Sequence, residues 1–132
     1  MKTTRLGTLT GLFVLLFAVG PALAHHSLTA EFDPSKTFTI TGVLTKVEWA
    51  NPHIYTFLDV KNPDTGEVEA WSFEGNPPGN LHRSGLRKED WKIGETVTIT
   101  AIAAKDGTKR LGFAKEIKYQ DGHTLSFRVN GE

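Results

Sequence analysis

From Lys36 onward the chain alternates apolar and polar side chains, and a period of two commits it to β-strands with one buried face. Residues 37–49 are rich in Thr, Val and Ile. The apolar side changes phase near Gly42, from Phe38 and Ile40 on even positions to Val43, Val47 and Trp49 on odd ones. A one-residue slip at a glycine predicts a β-bulge at Gly42 that bends one long first strand. Asn51-Pro52 ends it.

The same reading continues along the chain. Residues 53–61 form a second strand, with Ile54, Leu58 and Val60 on one face and His53, Tyr55 and Phe57 on the other. The turn residues Asn62-Pro63-Asp64-Thr65-Gly66 lead to a third strand, 67–75, carrying Trp71 and Phe73 on one face. Asn76-Pro77-Pro78-Gly79 breaks this meander, and 80–86 has room only for a short helical turn, with another at 86–91. A fourth strand follows at 96–103 with Val97, Ile99 and Ala101 inward. Asp106-Gly107 and Asp121-Gly122 turn the chain into strands at 112–119 and 124–129. Three strands, a short helix and two or three more strands give an all-β fold, a small OB-like β-barrel of five to six antiparallel strands. A flatter two-sheet sandwich is the rival. The barrel is preferred because a bent first strand serves both halves and leaves fewer free edges.

Ahead of this domain lie Lys2 and Arg5, an apolar run from Leu9 to Gly20, and Ala22-Leu23-Ala24. Charged, apolar and small residues in that order make a secretory signal cleaved after Ala24, the run being short of the ~20 residues that span a bilayer. The expected division is a signal peptide at 1–24 and a single β-barrel domain at 25–132, periplasmic or secreted. Lys2 and Arg5 leave with the leader, so the 15 basic residues fall to 13 against 15 acidic ones, a net charge of about −2. A balance so near neutral, without a basic stripe, argues against nucleic acid as a partner. No second long apolar segment remains to span a membrane after processing. The absence of cysteine excludes both a disulfide framework and a thiolate metal site.

His25-His26-Ser27, Glu31-Phe32-Asp33, Val47-Glu48-Trp49-x-Asn51-Pro52-His53, Trp71-x-Phe73-Glu74-Gly75-x-Pro77-Pro78 and Gly94-Glu95-x-Val97 together cover most of the mature chain. In these segments it resembles a family of small exported bacterial proteins of unknown function, with Leu28 standing where such relatives often carry Phe. The resemblance implies export and a β-barrel, and it implies no activity.

Chemistry therefore has to be read from side chains. Cleavage after Ala24 gives His25 a free α-amine, and that nitrogen with the ring Nδ1 of the same residue can close a chelate on one metal ion. Two such donors suit Cu(II), the tightest binder of nitrogen sites among the first-row divalent ions, and the lack of thiolates favours copper over zinc. His26 adds a third nitrogen, and His53, after a loop-forming Asn-Pro, is the imidazole the folded domain would supply. The competing reading makes His25 and His26 a tail with adventitious affinity and His53 a hydrogen-bonded strand residue. Glu74 is placed to bond backbone amides or to orient His53. Tyr55 and Phe57, on the less apolar side of their strand, could line a groove for a small organic ligand, the alternative being a periplasmic ligand-binding or protein-interaction module without metal. Glu31, Asp33 and Glu48 accompany these segments without a spacing that pairs them, and His82 and His123 read as solvated surface residues. No nucleophile or phosphate loop accompanies them, so no catalytic residue is assigned and an enzyme is the least supported class.

Overall fold

The computed structural model describes residues 27–129. Helix α1 (Leu28–Glu31) leads into the long strand β1 (Phe32–Glu48), followed by β2 (Tyr55–Lys61), β3 (Val68–Glu74), helix α2 (Pro78–Arg83), β4 (Thr96–Ala104), β5 (Leu111–Tyr119) and β6 (Thr124–Ser126). A 3-10 turn occupies Lys88–Asp90 between α2 and β4. The strands are hydrogen-bonded in the order β3-β2-β1-β4-β5-β6, and β3 also pairs with the start of β5. That last pairing is parallel and joins Ser72–Glu74 to Leu111–Phe113. Five strands thereby close into a ring, β1-β2-β3-β5-β4, with every other pairing antiparallel. It is the all-β, OB-like arrangement the sequence predicts, one sheet closed on itself rather than two stacked.

β1 serves both halves of the ring. Its N-terminal part, Phe32 to Val43, pairs with β4, and its C-terminal part, Val43 to Glu48, pairs with β2. The bulge that permits the bend is not at Gly42, which sits in unbroken register opposite Val97. It lies at Thr45, the extra residue between the pairs Leu44↔Leu58 and Lys46↔Phe57. Val43 is exposed rather than inward, so the even phase runs on through Gly42 and Leu44, and only Val47 and Trp49 keep the odd one. Gly42 answers a different need. A Cβ there would stand 2.5 Å from the Asp59 carbonyl oxygen and 2.9 Å from Val60 Cγ2, so only glycine lets β1 and β2 approach this closely.

Inward-facing Leu44, Ile54, Leu58, Phe73, Val97, Ile99 and Ile117 fill the ring. At one end α2 contributes the buried Leu81, and Trp91 follows the 3-10 turn, its indole N–H donating to Thr56 Oγ1 at 2.9 Å. Tyr119 closes the same region, donating to the Asp90 carbonyl at 2.7 Å and accepting from the Lys92 amide at 3.0 Å. A second, smaller cluster of Phe32, Ile102 and Phe113 lies apart from this core, with the partly buried Leu28 of α1 packed on it. Phe32 and Phe113 meet edge to face at 5.7 Å. These contacts fasten the start of the described chain beside the β2–β3 pair.

Candidate functional site

Successive residues of extended chain face opposite sides, so His53, just ahead of β2, and Tyr55, its first residue, project together while Ile54 and Thr56 turn into the core. On β3, Phe73 points inward and Glu74 outward, and the register sets Glu74 opposite Tyr55. The pairing runs past the strand ends, because the Gly75 amide donates to the Ile54 carbonyl at 2.9 Å. His53 is thus brought diagonally onto Glu74. The Glu74 carboxylate meets His53 Nδ1 through Oε1 and accepts the Tyr55 hydroxyl through Oε2 at 3.1 Å.

Glu74 is buried, whereas the His53 side chain keeps about a third of its surface. Burial of the Tyr55 hydroxyl, then the negative charge and hydrogen bond of Glu74, push its pKa up to about 12, with Glu31 and Glu48 adding to the effect. Tyr55 is therefore a neutral donor at any physiological pH. With Nδ1 committed to Glu74, the remaining nitrogen of His53, Nε2, is the one a ligand or metal can use.

A cavity of about 350 Å³ opens here, lined by Ser27, Glu31, His53, Glu74, Asn76 and Arg128 among others. Its neighbour, about 370 Å³, shares Glu31 and Glu74 and adds Tyr55. Sequence spacing gave no reason to pair Glu31 with Glu74, and it is the folding back of α1 that sets both along the same two cavities. Asn76 went unremarked as more than a chain break, yet it is buried, with its side-chain amide donating to the Arg128 carbonyl at 3.0 Å and its Oδ1 unpaired.

The other expected residues are distributed more widely. His25 and His26 lie outside the described residues. Phe57 does not share these cavities with Tyr55; the Lys46 ammonium sits over its ring, 5.1 Å from the centroid. Glu48 pairs with Lys46, and Asp33 accepts from the amide and hydroxyl of Ser35. His82 is exposed on α2 beside Trp49, and His123 is exposed in the last turn, stacked on Tyr119 at 4.2 Å. Among the described residues no group of three His, Asp or Glu side chains is arranged to hold a metal ion, so His53 and Glu74 supply at most part of one.

Residues 14–114 match the family of unknown function DUF6152. The chain belongs to that family. The matched span includes His53, Tyr55 and Glu74 and ends within β5. No curated protein and no solved structure matches the chain.

Proposed function

We propose that this member of the family is exported, begins after processing at His25, and binds one Cu(II) ion where its new N-terminus meets His53. The single observation that carries the reading is that Ser27, the first described residue, lines the same cavity as His53 and Glu74. One trans peptide step spans only ~3.8 Å between Cα atoms, so in this reading a chain that starts two residues before Ser27 is short enough for its terminal nitrogens to reach that cavity. In this reading the α-amine and Nδ1 of His25 chelate the ion, with further imidazole nitrogen from His26 and from His53 Nε2. Glu74 takes the part of the carboxylate that fixes the tautomer and ring orientation of a metal-binding histidine, and Tyr55 holds Glu74 in turn. Glu74, the buried acid beside His53, is thereby used for orientation, which accords with a binding protein rather than a catalyst.

The test is a competition titration of Cu(II) on the mature-start protein and two variants. His53→Ala is expected to lower affinity to that of a free His-His peptide. Glu74→Gln, which keeps shape and removes charge, is expected to lower it by roughly 10-fold to 100-fold, the usual cost of losing an orienting partner. Unchanged affinity in both variants would leave the histidines as a tail and return weight to an organic ligand or protein partner.

A further inference from the structure

A third cavity, about 340 Å³, lies between α2 and the chain following β6, and it has a different character from the one beside His53. It is lined by Arg83, Arg128, Asn80, Ser84, Ser126 and Asn76, with Leu81 at its back and no Asp or Glu. Among the described residues neither arginine has a carboxylate partner. Arg83 instead donates to Asn80 Oδ1 on the same helix, which holds its guanidinium at the cavity. Two unneutralised guanidinium groups with hydroxyl and amide neighbours make a site for an oxyanion.

Asn76 adds a finer requirement. It is 7 % exposed and lines this cavity, and with its Nδ2 donating to the Arg128 carbonyl its Oδ1 is left buried and unpaired. A buried acceptor left without a donor is unfavourable, so a bound group that carries a hydrogen of its own is favoured there. We infer that this cavity binds a small oxyanion that also donates a hydrogen bond, such as a protonated phosphate or phosphomonoester, the arginines taking the charge and Asn76 Oδ1 the proton. The site meets the cavity beside His53 at Asn76, Asn80 and Arg128 but uses none of the proposed copper ligands.

Phosphate and sulfate separate the two requirements. At about pH 5.5 inorganic phosphate is chiefly a monoanion bearing O–H groups, whereas sulfate is a dianion with none. Coulomb attraction to two arginines alone would favour sulfate. The expected result by calorimetric titration of the mature protein is saturable phosphate binding, roughly tenfold or more tighter than sulfate, the size of one charge-assisted hydrogen bond. Glycerol phosphate forms a third arm, because the cavity has room for about ten waters, more than a phosphate ion fills. Preference for either phosphate compound over sulfate supports the site, and the tighter of the two names the source. Arg83→Gln and Arg128→Gln, on exposed side chains, are expected to weaken all three anions. Asn76→Leu is expected to abolish the preference while leaving sulfate binding in place. Should Asn76→Leu fail to fold, the selectivity of the unaltered protein still decides. Sulfate binding as well as phosphate, no saturable binding of either, or indifference to both arginine changes would overturn the proposal.

Discussion

At the residue scale the Tyr55–Glu74–His53 chain is the most informative group in the molecule, because each member constrains the next. Partial burial of the Tyr55 hydroxyl, then the neighbouring Glu74 carboxylate, pushes its pKa up to about 12. A folded-state pKa raised above the unfolded value means that the folded chain holds this proton more tightly. The resulting stabilisation is complete below about pH 10, the ordinary tyrosine value, and is lost as pH rises from there through about 12. Ultraviolet titration is expected to resolve a late-ionising tyrosine that moves back toward the ordinary value in Glu74→Gln. A tyrosine that ionises at the ordinary value in the unaltered protein would contradict the geometry. Only part of this chain was legible beforehand. Alternation put His53 and Tyr55 on one face, and the Gly-Asn-Pro-Pro break suggested that Glu74 could orient His53. Glu31 and Asn76 were not legible as site residues, because what brings them there is the packing of Leu28 and Phe32 on Phe113 and the seating of Asn76 against Arg128, neither of which leaves a periodic trace.

At the scale of the element, β1 shows what a hydrophobic pattern can and cannot locate. The phase slip is real, but an apolar residue on an exposed face, Val43, moved its apparent position three residues from Thr45 to Gly42. The start of β1 at Phe32 was hidden for a related reason. The alternation is read only from Lys36 onward, whereas the strand starts at Phe32 and crosses Pro34 with a second register shift against β4 between Asp33 and Thr37. Gly42 makes the correction testable. If its role is close approach to β2, then Gly42→Ala as well as Gly42→Val should destabilise, by about 1–3 kcal/mol in urea denaturation, the range for overpacking a filled interior. An alanine variant as stable as the parent would mean that the strands part without cost.

At the scale of the whole molecule, closure of the ring depends on the β3–β5 pairing, a contact between segments nearly forty residues apart that no local pattern announces. The strand and helix order still made it the natural solution, since a first strand paired on both sides leaves β3 and β5 as the edges to be joined. That closure puts the β2–β3 corner, the returning α1 and the start of the described chain beside one another, and the copper reading rests on this adjacency. Its premise is processing. Intact-mass measurement of protein from the envelope fraction is expected to find a chain starting at His25, and a retained Met1 or a start beyond His26 would remove the amine ligand.

The most direct measurement compares Cu(II) binding by the folded mature protein with binding by the peptide His-His-Ser-Leu-Thr-Ala, alongside a protein bearing one extra residue before His25. The predicted result is one ion held more tightly by the protein than by the peptide, weakened by the extra residue although every side chain remains, and accompanied by a rise in thermal stability. Binding to the native fold alone contributes ~2.7 kcal/mol at a hundredfold excess of free ion over Kd. Equal affinities for protein and peptide, with no stabilisation on binding, would contradict the account.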